Sequence, residues 1–141
     1  MNKKQLVLAA IMMVVLAGFS QAQTFYPVLQ KYTAVDKERV DKSLAYSLTF
    51  TNTGLVESAL AVVTMMKLDL PADEFPKIKD EIEDLTTDGT TPVIRYKAYL
   101  AEAVFTNPSM FKEETMRQYS DPDEFFSALA VRMTKTLLSS R

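Results

Sequence analysis

The acidic side chains are the groups in this sequence whose types and spacing could support chemistry. A pair of carboxylates can hydrolyse a glycosidic bond, one acting as general acid and the other as base or nucleophile. The acids form two clusters, Asp80, Glu81, Glu83 and Asp84, and then Asp121, Asp123 and Glu124. The first cluster lies beside lysines on what reads as a solvated helix face, and the second has the spacing of a helix start. We therefore expect no catalytic residues, and a small carboxylate-dependent hydrolase is the alternative.

The composition excludes most other catalytic chemistry. The chain has no histidine and no cysteine, so it lacks the commonest general base and any thiolate nucleophile. Ser-His-Asp and Cys-His catalysis are excluded within this chain for that reason. Three glycines in 141 residues leave no glycine-rich phosphate loop. The acidic stretches 69–74 and 121–124 are too short for a calcium-binding loop. We expect neither a metal nor a cofactor.

The most unusual combination of polar and aromatic residues lies at positions 95–99, with the sequence Arg-Tyr-Lys-Ala-Tyr. Tyrosine and arginine are enriched at the energetic centres of protein interfaces, and residues four apart share a helix face. The sequence therefore predicts a binding surface formed by Arg95, Tyr96 and Tyr99. The structural alternative is that the tyrosine rings cover a neighbouring hairpin while Arg95 pairs with a carboxylate, for which Glu57 is the candidate.

Residues 1–22 have the pattern of a secretory signal peptide. A basic start at Lys3 and Lys4 is followed by an apolar run over 6–19 and by small residues before a cut after Ala22. The apolar run is shorter than the roughly 20 residues that a membrane-spanning helix needs. The sequence thus predicts a cleaved signal and a periplasmic or secreted protein of the bacterial envelope. A membrane-tethered protein with an uncleaved N-terminal anchor is the alternative.

The charge balance restricts the partners. The chain has 16 basic and 18 acidic side chains, and loss of residues 1–22 with their two lysines leaves a net charge of −4. Affinity for nucleic acid depends on neutralising phosphates, so we expect no nucleic-acid partner. We also expect no stable membrane insertion once the signal is removed. Without cysteines for disulfides, the mature domain must rely on its packed core.

The apolar spacing predicts an all-α fold with about six helices. Residues 23–35 form a segment without clear periodicity, and residues 36–141 form the domain. Apolar residues recur three and four apart through the domain, as in amphipathic helices, and no convincing alternating strand is present. The predicted helices cover 36–50, 55–68, 76–88, 92–105, 111–119 and 122–139, with Asp73 and Asp121 as candidate caps for the third and the last.

The sequence contains an internal repeat of about 38 residues. A shift of 38 aligns Val40 with Ile78, Leu44 with Ile82, Val56 with Ile94 and Val63 with Ala101. The turns before the second helices also align, and the last helix follows at a shorter shift of 32. The same register aligns Glu57 with Arg95, which is why these two are candidates for an ion pair between repeats. The repeat predicts two to three antiparallel helix hairpins that stack to bury a continuous core. An irregular helical bundle is the alternative.

The segments 52–61 and 91–101 resemble the second helices of HEAT repeats, a family close in architecture to armadillo repeats. In that family a turn is followed by an apolar residue, often an arginine, and then small and apolar residues. Ile94, Arg95 and Ala98 match this pattern, whereas Glu57 stands where the arginine is usual. The resemblance implies a HEAT-like α-solenoid over residues 36–139. Proteins of this family usually act by presenting a surface.

These observations together predict an exported, non-catalytic helical-repeat protein that serves as a protein-binding or scaffold module. Its partner is expected to be a protein. Self-association is a further expectation, because three repeat units are about the minimum for a stable stack.

Overall fold

The computed structural model describes residues 34–140, so the predicted signal peptide and most of the segment 23–35 lie outside the described residues. This part of the chain is all-helical, as the periodicity predicts. Its elements are α1 (Ala34–Leu48), α2 (Thr53–Asp69), α3 (Pro76–Asp88), α4 (Pro92–Thr106), a 3-10 helix η1 (Pro108–Met116) and α5 (Pro122–Ser139). The predicted boundaries differ from these by a few residues, the largest differences being at η1 and at α1, which already begins at Ala34.

Three of the helices begin at a side chain that accepts a hydrogen bond from the first turn. Asn52 Oδ1 accepts from the Leu55 N–H at 3.0 Å, and Thr91 Oγ1 accepts from the Ile94 N–H at 3.1 Å. The predicted cap Asp121 accepts from the N–H of Glu124 at 2.8 Å. Such caps satisfy backbone donors that have no partner within the helix, and they explain why α2, α4 and α5 start where they do.

Helix α3 is capped differently from the sequence prediction. Its first turn donates to the carboxylate of Asp41 on α1, with Asp41 Oδ2 3.1 Å from the Lys77 nitrogen and Oδ1 2.9 Å from the Ile78 nitrogen. The predicted cap Asp73 is wrong, because that carboxylate accepts from Lys37 Nζ at 2.8 Å instead. Asp41 is only 4% exposed, so a buried carboxylate joins α1 to the start of α3.

The first two hairpins pack in the manner of repeat units. Helix α1 lies against α3, and α2 lies against α4. Burial follows the repeat register in the second helices: Val56 and the equivalent Ile94 are buried, whereas Leu55 and the equivalent Val93 are both about half exposed. The register does not hold throughout, because Tyr99 is 51% exposed whereas the equivalent Ala61 is fully buried.

The third hairpin lies across both of the others. Helices η1 and α5 contact α2 as well as α4, whereas in a linear stack each unit contacts only its neighbours. Residues 34–140 therefore form a helical bundle, which fits the irregular-bundle alternative. The repeat spacing alone does not fix this arrangement.

The fifth predicted helix, over 111–119, is the 3-10 helix η1, which ends at Met116. In a 3-10 helix, residues three apart lie directly above one another, and this places Phe111 and Glu114 together on the buried side. Beyond the end of η1, the Tyr119 hydroxyl donates to Glu114 Oε2 at 2.5 Å. Tyr119 also packs on Phe125, with 5.2 Å between the ring centroids. The chain after Met116 thus leads Tyr119 back onto Glu114 and α5.

Candidate interaction surface

One side of α4 presents a row of apolar and aromatic side chains to solvent. Val93, Tyr96 and Tyr99 are 51%, 53% and 51% exposed. They are spaced three apart, and residues with this spacing are neighbours on a helix surface. We call these three residues the tyrosine row. Two of its members, Tyr96 and Tyr99, belong to the binding surface predicted from the sequence.

Arg95, the third predicted member, does not join the row. Its guanidinium Nη1 donates to the carbonyl oxygen of Gly89 at 2.6 Å, which ties α4 to the turn that precedes it. The predicted ion pair between Arg95 and Glu57 is wrong, because Glu57 pairs with Lys97. Lys97 follows Arg95 by two residues and therefore lies about 200° further around the helix. Arg95 stabilises its own hairpin, while Lys97 reaches the neighbouring one.

Lys97 is buried where α2, α4 and α5 meet. Its Nζ lies 2.5 Å from Glu57 Oε2 and 2.5 Å from Asp123 Oδ1, and its side chain is 5% exposed. The same ammonium lies 5.6 Å from the ring centroid of Phe126. Burial by itself lowers the pKa of Lys97, but hydrogen bonds to Asp123 and Glu57 and their charges outweigh it, so the pKa is raised. The lysine remains charged and holds α2, α4 and α5 together.

Lys97 could have been recognised in the sequence by its register. Leu100 and Val104 follow Lys97 by three and seven residues, so Lys97 lies on the same side of α4 as these two apolar residues. A lysine in that position must find a partner within the fold, since an unpaired buried ammonium is very costly.

Several members of the acidic clusters have hydrogen-bond or ion-pair partners in the described part of the chain. Asp121 caps α5, and Asp123 pairs with Lys97. Glu124 accepts from the hydroxyl and the backbone N–H of Ser120, and these hydrogen bonds lower the pKa of Glu124. In the cluster on α3, Glu83 lies 3.6 Å from Lys79. Within residues 34–140, no group of three or more acidic side chains is placed to hold a metal ion.

Two further apolar surfaces are exposed. At the end of α1, the ring of Tyr46 packs edge to face on the ring of Phe50, which follows the helix, with 5.3 Å between their centroids. On the last turns of α5, Val131, Leu137 and Leu138 are exposed, and none of the described residues after Leu129 is fully buried. No helix in the described part of the chain is both long enough and apolar enough to cross a membrane.

Comparisons of the chain with protein-family models, with curated proteins and with solved structures found no match. The functional interpretation therefore depends on the geometry of the tyrosine row and of the residues that support it.

Proposed function

We propose that this chain is an exported, non-catalytic helical protein that acts as a protein-binding or scaffold module, and that the tyrosine row is its contact surface. The observation that carries the proposal is the half-exposure of Val93, Tyr96 and Tyr99 along one side of α4. Contiguous exposed apolar surface marks interaction sites, and tyrosine is prominent among the residues that dominate binding energy. The resemblance of α2 and α4 to HEAT helices agrees with a role in presenting a surface.

The firm packing of α4, the helix that carries the tyrosine row, favours tight binding. On the opposite side of α4, Ile94, Ala98 and Ala101 are buried in the core. Lys97 anchors the same helix to α2 and α5. Aromatic side chains held on a rigid helix lose little conformational freedom when a partner binds, so more of the contact energy appears as affinity. The partner that suits this row is a protein with a complementary apolar groove or helix face.

The proposed location is the bacterial periplasm or the extracellular space, and it rests on the signal-peptide pattern of residues 1–22. N-terminal sequencing of the protein recovered from the cell envelope tests it. A mature chain that starts at Gln23 supports export with cleavage. A chain that retains residues 1–22 supports the alternative of a membrane-tethered protein.

Replacing both tyrosines of the row, Tyr96→Ala with Tyr99→Ala, is expected to weaken binding of the natural partner about thirtyfold or more. Truncation of aromatic interface residues commonly costs about 2 kcal/mol or more. The measurement is a crosslinking pull-down from the native envelope, followed by titration of the recovered partner against both forms of the protein.

The matched control for this experiment is Tyr46→Ala. Tyr46 is 67% exposed and lies on α1, away from the row, so its loss should leave binding unchanged. Circular dichroism and thermal melting should show that all variants remain folded, because none of the replaced rings is buried. Equal recovery of the partner by the wild type and the double variant would overturn the proposal.

A further inference from the structure

A cleft separates the end of α2 from η1. Its volume is about 410 Å³, and it is lined by Leu68, Asp69 and Pro71 on one side and by Pro108, Ser109, Lys112 and Thr115 on the other. Small-molecule sites typically have volumes of about 300–1,000 Å³ and combine apolar walls with a few polar groups. The cleft shares no residue with the tyrosine row, so any ligand it holds would define a second function.

Asp69 places a solvent-exposed carboxylate on one wall of the cleft. It is the last residue of α2, where the helix dipole is unfavourable for a negative charge. No described residue forms an ion pair or a side-chain hydrogen bond with Asp69. Lys67, two residues earlier, donates to the carbonyl oxygens of Pro71 and Asp73 at 3.0 and 2.7 Å instead. Partial burial raises the pKa of Asp69, as expected for a carboxylate without a counter-ion.

Lys112 places the opposite charge on the other wall. Its ammonium forms no ion pair with Asp69 or with any other residue of the described range. Two hydroxyl groups lie on the same side: Ser109 donates to Asn107 Oδ1 at 2.7 Å, and Thr115 donates to the Lys112 carbonyl oxygen at 2.8 Å. Both hydroxyl oxygens keep lone pairs that can accept hydrogen bonds from a ligand.

We propose that this cleft binds a small zwitterion, a free α-amino acid or a short peptide, with its ammonium group at Asp69 and its carboxylate at Lys112. An ammonium group supplies the counter-ion that Asp69 lacks, and the carbonyl end of α2 favours a cation at the same place. A carboxylate accepts hydrogen bonds from the Lys112 ammonium. The apolar side chains of Leu68, Pro71 and Pro108 contact the part of the ligand between its charges.

The probe for this site is dialanine, titrated into the mature chain and followed through the backbone amide signals in NMR spectra. We expect saturable shifts at residues of the cleft with a dissociation constant of about 1 mM, a reasonable value for so small a ligand. N-acetyl-dialanine lacks the ammonium group and dialanine amide lacks the carboxylate. Each should bind at least about tenfold more weakly, because each loses a charge-assisted contact.

Two substitutions test the walls of the cleft separately. Asp69→Asn should weaken dialanine binding at least about tenfold, and Lys112→Gln should weaken it about fivefold or more. The control is Asp88→Asn, because Asp88 is also the exposed last residue of a helix but lies outside the cleft. Binding by the Asp88 variant should equal that of the wild type.

Thermal melting distinguishes a ligand-binding carboxylate from a structural one. Asp69→Asn should keep or raise the melting temperature, because it removes an unpaired charge from the negative end of α2. A lowered melting temperature would assign Asp69 a structural role and overturn the proposal. The absence of saturable shifts at 20-fold the expected dissociation constant would overturn it as well, as would equal binding of dialanine and its N-acetyl form.

Discussion

Replacing Lys97 with alanine is expected to lower the free energy of unfolding by about 4 kcal/mol. The Lys97 ammonium is the counter-ion of Glu57 and also bonds to Asp123. Loss of the ammonium leaves Glu57, at 27% exposure, only partly desolvated, while Asp123, at 81% exposure, stays hydrated. The charge itself therefore contributes less than the roughly 3–5 kcal/mol typical of a fully buried pair. The aliphatic stem of the lysine also packs in the core, so its loss adds to the effect. Urea denaturation measures the change directly, and the melting temperature should fall by more than about 15 °C.

The contribution of the charge can be separated from that of packing. Lys97→Met keeps most of the stem, and Glu57, whose side chain is 27% exposed, can regain water. We expect Lys97→Met to cost about 1–2 kcal/mol, less than the alanine variant. Adding Glu57→Gln to Lys97→Met should recover part of that loss. Lys42→Ala, at an exposed position of α1, is the control and should change stability by less than about 0.5 kcal/mol. A loss of 1 kcal/mol or less for Lys97→Ala would contradict this account.

The pH dependence of stability provides an independent test of whether the ion pairs of Lys97 stabilise the fold. Its pKa is raised from the ordinary value of 10.5 in the folded protein, so the folded state holds this proton more tightly than the unfolded chain. The resulting stability is fully present below pH 10.5 and is lost as the pH rises through the folded-state pKa. Urea denaturation from about pH 8 upwards should therefore show a steeper alkaline loss for the wild type than for Lys97→Met. Parallel curves of unfolding free energy against pH for the two proteins would contradict a stabilising role of the Lys97 charge.

Replacing Asp41 with alanine is expected to lower the free energy of unfolding by about 3 kcal/mol. The Asp41 carboxylate accepts from the backbone nitrogens of Lys77 and Ile78, and hydrogen bonds to a charged group are each worth about 1.5–3 kcal/mol. Without the carboxylate, the start of α3 would lose its cap and the contact to α1. Urea denaturation measures the loss, and hydrogen exchange at the amides of residues 77 and 78 should become faster.

Two companion variants define what the Asp41 cap contributes. Asp41→Asn keeps one acceptor oxygen but loses the charge, and we expect a cost of about 1–2 kcal/mol. Asn52→Ala removes an exposed cap from α2 and should cost about 1 kcal/mol. If Asp41→Ala were no more destabilising than Asn52→Ala, the buried link between α1 and α3 would contribute nothing beyond an ordinary cap.

The helices themselves could be predicted from the sequence because their signals are local. Pro92 and Pro122 mark the first residues of α4 and α5, and the capping side chains lie within three residues of the donors they satisfy. Some polar residues also lie in the apolar register, since Lys97 shares a side of α4 with Leu100 and Val104. Asp41 likewise precedes the buried Ala45 by one turn. The register therefore marks Lys97 and Asp41 as candidates for burial.

The partners of those residues could not be predicted. Lys97 bonds to Glu57 across 40 positions of the chain, and Asp41 bonds to Ile78 across 37. Such pairs depend on the angle at which two helices cross, which apolar spacing does not determine. The exposure of the tyrosine row has the same origin, because α4 is apolar on more than one side and only the packing decides which side is covered.

The position of the third hairpin has a consequence for the order of folding. Because η1 and α5 cover α2, a helix of the first hairpin, the core cannot close until the chain up to Leu129 is present. Contacts between such distant segments slow folding relative to a protein with only local contacts. The first two hairpins would expose the apolar surface of α2 and α4 until then. A chain whose core needs α5 keeps the apolar sides of α2 and α4 uncovered until Leu129 has been synthesised.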